Sequence, residues 1–189
     1  MRLLATSHIF LCVILSLLVY DGQYFLLDVT LDPDTANPYL ILSDDGKQVS
    51  HGDIKQDVPE NPKRFDHDGV LAKQGFSSGR FYYEVQVKGK TGWGLGVARE
   101  SVHRKGDISP SPEDGIWSMI YIDQSDYIAC DNPAVIFSHT KTLEKVGVSH
   151  IYSFTGQTFT EKLYPYFSPC DNDEGENSNP LIISPVSSN

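Results

Sequence analysis

Short apolar runs separated by polar turns organise the chain from residue 26 onward. The clearest run is Gly79–Gly89, in which large apolar side chains occupy every second position from Phe81 to Val87. A period of two is typical of a strand that buries one face. The pattern therefore predicts a half-buried antiparallel strand at Gly79–Gly89.

Two further runs carry equally strong strand patterns. Trp93–Val97 alternates large apolar residues with glycine, and Ile116–Ile122 is almost continuously apolar. Gly89–Gly92 has the composition of a hairpin loop, which predicts pairing between its flanking strands. Weaker strands are predicted at Tyr39–Leu42, Tyr127–Cys130, Lys145–Val148, Ile151–Phe154, Tyr164–Phe167 and Leu181–Ile183.

Polar segments rich in proline, glycine and serine separate these strands. The longest are His51–Arg64 and Arg99–Gly115, and Asp44-Asp45-Gly46 forms a compact turn signal. No window beyond Leu26 sustains an apolar period of 3.6 residues, so no helix is predicted there. Regular short strands without helices predict an all-β fold, either a sandwich or a barrel.

Composition and charge narrow the possible functions. The chain has 189 residues, 40% of them hydrophobic, which suits one domain with a substantial core. Its 25 acidic and 15 basic residues give a formal net charge of -10, and no basic stripe is visible. Because such a chain gains little from neutralising phosphates, no nucleic-acid partner is expected.

The first 25 residues form a hydrophobic leader that is set apart from the fold. Its apolar run, Ile9–Tyr20, is short for a membrane span and resembles the apolar core of a signal peptide. A secretion signal, a membrane anchor and a leader without a targeting role all stay open.

Three cysteines without a CxxC motif, and no N-x-S/T sequon, favour a cytoplasmic domain.

Each sequence pattern that could indicate catalysis or metal binding lacks a residue or an element that its motif requires. A calcium loop beginning at Asp32 requires glycine at its sixth position and glutamate at its twelfth, where Asn37 and Ser43 stand. GFSSG matches a nucleophile elbow at Ser77, but a strand follows where that motif requires a helix. We therefore expect no enzyme activity, no catalytic or metal-binding residues and no cofactor.

Several motifs in order resemble one known family. LDPDTA, beginning at Leu31, and LILSDDGKQV resemble the PRY segment of PRY–SPRY (B30.2/SPRY) domains. RFYYEVQV resembles the family's W-E-V motif, with Tyr83 in place of tryptophan, and WGLGVA resembles its W-x-x-G-V-A strand. Gly115-Ile116-Trp117 resembles its G-x-W motif, and SHIYSFTG, KLYPYFSPC and NPLIISPV resemble its closing strands. Such domains occur in TRIM-type ubiquitin ligases, butyrophilins and fish immune proteins.

The resemblance implies a bent antiparallel β-sandwich of the SPRY/concanavalin type over residues 28–186. The PRY part would cover about residues 28–75 and the SPRY part about 76–186. The chain departs from the family after Val148, where the usual LDYE-containing strands are absent. Losing about two strands would leave backbone groups and apolar faces uncovered, so an incomplete sandwich is expected. Flanking strands could close the gap, or the product could fold poorly.

The resemblance also implies a protein-binding surface built from variable loops. These loops correspond to His51–Arg64, Val102–Pro112 and Asp131–Thr142, with the strand Trp117–Ile122 beneath them. Aromatic anchors give large contact areas at little entropic cost. The candidate partner-binding residues are Trp117, Tyr121, Tyr127, His103, Arg104 and Asp123. For Trp117 the alternative is a place in the core.

The implied function is recognition of a protein ligand in an innate-immunity or ubiquitin-ligase context. No RING-type cysteine and histidine pattern and no coiled-coil heptads accompany the domain, so ligase activity of its own is not expected. One alternative is a secreted or membrane-tethered SPRY protein, which would reach the membrane only through residues 1–25. The other is a non-functional product of truncated splicing or of a faulty gene model.

Overall fold

Two antiparallel sheets pack face to face and account for nearly all regular structure. The computed structural model describes residues 25–78, 81–106, 109–122, 126–138 and 159–184. Within these ranges the only helical element is a 3₁₀ turn at Asp173–Gly175. The prediction of an all-β, bent antiparallel sandwich is confirmed.

The larger sheet has six strands in the order β10-β9-β8-β7-β11-β4, all paired antiparallel. Its strands are β4 (Val70–Leu71), β7 (Trp93–Arg99), β8 (Ile116–Ile122), β9 (Asp126–Ala129), β10 (Val135–Ser138) and β11 (Leu163–Ser168).

The smaller sheet has four strands in the order β2-β3-β12-β6, also antiparallel. A separate pair, β1 with β5, is parallel. The strands of these two sheets are β1 (Phe25–Leu26), β2 (Leu40–Leu42), β3 (Gln48–His51), β5 (Phe81–Tyr82), β6 (Val85–Gln86) and β12 (Leu181–Ile183).

Most sequence predictions of individual strands agree with these bounds. Ile116–Ile122 is a strand from end to end. The predicted strand Gly79–Gly89 is divided into β5 and β6, yet its alternation holds, since Tyr83, Val85 and Val87 are buried. β10 differs from the prediction, since it forms inside a predicted loop. The predicted strands Lys145–Val148 and Ile151–Phe154 lie outside the described residues.

The core lies between the inner faces of the two sheets. Cross-strand pairs of β7 and β8 supply it from the larger sheet, and Tyr83 with its alternate neighbours supplies it from the smaller one. The Tyr83 hydroxyl donates a hydrogen bond of 3.1 Å to the Gly96 carbonyl and so ties one sheet to the other. Glycine at position 96 is required by the neighbouring strand β8, because an added Cβ would lie 2.1 Å from the Trp117 carbonyl oxygen.

The predicted hairpin at Gly89–Gly92 is wrong. β6 belongs to the smaller sheet and β7 to the larger, so this segment crosses between sheets instead of reversing within one. The physical reason is a long-range anchor. Lys90, 6% exposed, donates from Nζ to the carbonyls of Asn177 and Asn179 at 3.0 and 2.9 Å.

Asn177 is the centre of this crossing. Its side chain is fully buried, and Oδ1 accepts hydrogen bonds from the backbone N–H groups of Thr91 and Gly92 at 3.0 and 3.2 Å. Nδ2 donates to the carbonyls of Gly92, Pro169 and Asp171 at 2.7–3.1 Å. One side chain therefore satisfies backbone groups from two loops that would otherwise be buried without partners.

We expect Asn177→Ala to lower the free energy of unfolding by about 3 kcal/mol, because it leaves several buried backbone groups unpaired. Asn179→Ala is the matched control, since Asn179 is exposed and its side chain donates one bond, to the Gly89 carbonyl. That variant should cost less than about 1 kcal/mol. Urea unfolding followed by fluorescence measures both, and equal losses would contradict the central role of Asn177.

Lys90 predicts a pH dependence of stability. Burial lowers the pKa of the Lys90 ammonium to about 8 in the folded protein, whereas an unfolded lysine titrates near ~10.4. Between these values the unfolded chain holds a proton that the folded chain has lost, so this group favours folding increasingly as pH rises. Between pH 8 and pH 10, the free energy of unfolding of wild type should therefore rise relative to that of Lys90→Met.

The control for Lys90 is Lys88→Met at an exposed lysine two residues away. This variant should follow the wild-type pH profile in urea unfolding. A Lys90→Met profile parallel to wild type across that range would refute the assignment.

Candidate functional site

The segment that carries LDPDTA covers the outer edge of the larger sheet. The Asp32 N–H donates to the Leu71 carbonyl at 2.8 Å, and the Leu71 N–H donates to Thr35 Oγ1 at 3.0 Å. The Lys73 N–H continues the contact by donating to the Thr30 carbonyl at 2.8 Å. Since edge strand β4 is satisfied on both sides, this edge cannot pair with another chain.

Arg64 holds this segment in place from beneath. It is 4% exposed, and its Nη1 donates to the carbonyls of Pro33 and Ala36 at 2.9 and 2.6 Å. Its Nε donates to the Pro59 carbonyl at 3.2 Å. The guanidinium therefore joins the first segment of the chain to the loop that follows β3.

A cavity of about 620 Å³ opens where these two segments meet the loop after β7. We call it the edge cavity. Its walls combine an apolar part with a rim of basic side chains. The apolar part comprises Leu71, Ala72, Val102 and the ring of Tyr164, and the rim comprises Lys63, Lys73, His103, Arg104 and Lys105.

Arg104 links the two loops that flank the edge cavity. Its Nη1 donates to the Lys63 carbonyl at 3.1 Å and its Nη2 to the Glu100 carbonyl at 3.3 Å. The guanidinium carbon also lies 5.5 Å from the centre of the Phe65 ring, within cation–π range. Burial lowers the pKa of Arg104, but a guanidinium remains charged at neutral pH. The cation is therefore fixed in position.

Asp66 fixes the far end of the same loop. Its Oδ2 accepts from the Gly106 N–H at 2.8 Å, and its Oδ1 lies 3.0 Å from Lys105 Nζ. These bonds, the Gly106 N–H first, lower the pKa of the Asp66 carboxyl. Lys105 also lies 3.8 Å from Glu60, so its charge is largely matched by carboxylates on the protein.

Two lysines of the edge cavity have no carboxylate of the described residues close enough to form an ion pair. Within the described ranges, no ion pair within 4.0 Å is found for Lys63 or Lys73. The two carboxylates of the lining, Asp32 and Glu100, make other bonds. Asp32 accepts from the Asp34 N–H at 3.1 Å, and Glu100 accepts from the Tyr164 hydroxyl at 3.1 Å. Asp32 and Glu100 also interact electrostatically with Arg104, so the unmatched positive charge of the edge cavity resides on Lys63 and Lys73, in a chain of net charge -10.

Two of the six predicted partner-binding residues lie together here. His103 and Arg104 both line the edge cavity, and His103 is exposed. The first predicted loop, His51–Arg64, contributes its end at Pro62 and Lys63. Asp123 lies outside the described residues.

The three aromatic candidates occupy a different place, on the inner face of the larger sheet. Trp117 is 7% exposed and packs edge-on against Phe159, with ring centres 4.8 Å apart. Tyr127 is 9% exposed, and Tyr121 stacks on Trp93 at 5.6 Å. The structure thus supports the alternative of a core residue for Trp117, and a partner-binding role for the three aromatics stays a prediction.

Sequence reasoning missed the residues that complete the edge cavity. Lys73 follows β4 and Tyr164 lies in β11, far from any predicted loop. Neither carries a local signal, because each reaches the site only through the pairing of β4 with β11. Lys63 lay inside a predicted loop, but nothing in its neighbourhood distinguished it from the other lysines.

The edge cavity offers polar groups that can bind an anion. Ammonium and guanidinium groups form charge-assisted hydrogen bonds with carboxylates or phosphates. Among the residues that the structure describes, no group of three or more His, Cys, Asp or Glu side chains could hold a metal ion. In the same part of the chain, no helix has both the length and the apolar character to cross a bilayer.

Comparison with family models shows two adjacent matches. Residues 29–76 match the SPRY-associated domain, PRY, and residues 80–135 match the SPRY domain. The E3 ubiquitin-protein ligase TRIM69 of Rattus norvegicus is 42% identical over 173 residues, which cover 82% of this chain and 34% of that protein. The erythroid membrane-associated protein of Homo sapiens is 41% identical over 173 residues, covering 82% of this chain and 36% of that protein.

Solved structures share the same fold. The crystal structure of the TRIM65 PSpry domain matches with a TM-score of 0.69 and 20% identity, over 85% of this chain and 91% of that one. Stonustoxin matches with a TM-score of 0.64 and 23% identity, over 84% of this chain and 29% of that one. The chain spans about a third of the length of the curated relatives cited above.

Proposed function

Because this chain belongs to the PRY–SPRY domain family, we propose that it is a protein-recognition module without catalysis of its own. The module binds a segment of another protein in the edge cavity. The observation that carries this proposal is the convergence of two predicted variable loops, through Lys63 and Arg104, on one cavity of about 620 Å³. A volume of this size accommodates a few side chains of a partner.

The architecture of the site supports recognition. Loops held on a rigid sheet are the usual location of binding residues. Here Arg64 and Arg104 hold the loops through bonds to backbone carbonyls, so the edge cavity exists before any partner arrives. A preformed site binds without spending free energy on ordering its own loops.

The cellular context proposed here is that of innate immunity or ubiquitin ligation. TRIM69 carries the name of an E3 ubiquitin-protein ligase, and this chain matches about a third of it. We propose that the chain supplies target recognition and that any ligase chemistry belongs to other domains or proteins. The proposed domain covers residues 28–186, with a PRY part at about 28–75 and a SPRY part at about 76–186.

A second group of contacts is proposed around the aromatic candidates. Tyr121 is only partly buried, and Asp123 follows β8 directly. Tyr121 would extend the partner surface along β8, beyond the edge cavity, and Asp123 stays a proposed contact on sequence grounds. Trp117 and Tyr127 would contribute chiefly by holding this strand in place.

Photocrosslinking tests the function. With p-benzoyl-phenylalanine in place of His103, the chain should form a covalent adduct with a cellular protein on irradiation, because His103 is exposed on the rim. The same probe in place of exposed Lys88, away from the edge cavity, is the control. The captured protein is then purified and its binding to the unmodified chain measured. Capture at both positions equally, or no direct binding afterwards, would count against the edge cavity.

For location we propose a cytoplasmic domain. Cys130 and Cys170 are both free thiols, as expected in a reducing compartment. The alternative is secretion or tethering through residues 1–25. N-terminal sequencing of the protein purified from cells decides between them: we expect an intact Met1, whereas a start near Asp21–Tyr24 would show cleavage and secretion.

A further inference from the structure

We propose that the partner segment bound by the edge cavity is acidic, with aspartate or glutamate side chains next to an apolar residue. This inference rests on the proposed function and adds the chemistry of the partner. It is carried by two observations that are independent of each other: the unmatched charge of two lysines on the rim and the accessible apolar ring of Tyr164 in the wall.

The first observation is the unmatched charge. Lys63 and Lys73 stand on the rim without an ion pair among the described residues. The charge of Arg104 is instead attracted by Asp32 and Glu100, the two carboxylates of the lining. Two cations, Lys63 and Lys73, are thus available to a ligand, and their natural partners are carboxylates.

The net charge of the chain limits how an acidic segment can bind. At -10, the protein as a whole repels an acidic peptide at long range. That repulsion is screened over about 10 Å at ~0.1 M salt, so contacts inside the edge cavity are governed by its own cations. Binding of an acidic segment must therefore depend on these few side chains and not on a general attraction.

The second observation is the apolar ring in the wall. Leu71, Ala72 and Val102 line the base but are already buried, whereas Tyr164 is only partly buried and leaves part of its ring accessible. A free phosphate or another small anion would leave this ring without contact. An apolar side chain beside the carboxylate would pack on it and remove that surface from water. This mixture of chemistries selects a peptide.

Selection from a random dodecapeptide phage library on the full chain tests the proposal. Peptides selected by wild type should be enriched in aspartate and glutamate, with an apolar residue adjacent, relative to the unselected library. The variant K63E/K73E should lose this enrichment. Synthetic copies of the selected peptides should bind this variant at least about tenfold more weakly by fluorescence anisotropy, since two attractions become repulsions.

The matched control is K55E/K88E, which changes the net charge equally at two exposed lysines outside the edge cavity. It should keep wild-type selection and affinity. Absence of acidic enrichment, or equal losses in the two double variants, overturns the proposal. Replacing serine by phosphoserine in a selected peptide distinguishes the source of the anion: tighter binding than the matching glutamate peptide would assign the edge cavity to phosphorylated segments instead.

A variant that blocks the edge cavity tests the acidic partner and the proposed recognition function separately. Ser101→Trp places a large ring on the rim from an exposed position. Neutral peptides that are selected by wild type and lost by Ser101→Trp would leave the edge cavity a recognition site and refute its acidic partner. Selected peptides that are indifferent to both Ser101→Trp and K63E/K73E would refute the inference and the proposed function together.

Discussion

The buried guanidinium of Arg64 determines where the first segment of the chain can lie. A charged group removed from water needs several strong hydrogen bonds, and the carbonyls of Pro33, Ala36 and Pro59 supply them. Once these bonds form, the LDPDTA segment is fixed against β4, and the sheet edge is closed. The edge cavity exists only because this segment and the neighbouring loop are held at that separation.

Stability and recognition are placed in different parts of the molecule. The inner faces of the two sheets and the anchor at Asn177 hold the sandwich together through burial and satisfied backbone groups. The edge cavity lies outside this core, on loops held by side-chain bonds to carbonyls. Changes of charge on its rim therefore alter binding with little effect on the free energy of unfolding.

Sequence periodicity predicted what depends on neighbours along the chain. It located β8 and the alternation around Tyr83, since period two follows directly from strand geometry. It failed at Gly89–Gly92, because Asn177, far away in sequence, decides that this segment crosses between sheets. Alternation also does not tell which face is inward, so Trp117 was a candidate contact as much as a core residue. His103 and Arg104 were found through family resemblance, whereas Lys73 required the pairing of β4 with β11.

Arg104 reaches the main chain, not the side chains, of the residues it joins. Every residue type carries a carbonyl, so substitutions at positions 63 and 100 leave both of its bonds intact. The rim can consequently change its charge over evolutionary time while the geometry beneath it persists. A lineage under pressure from a changing target could rewrite the specificity of this site by single substitutions, without first rebuilding the scaffold that presents it.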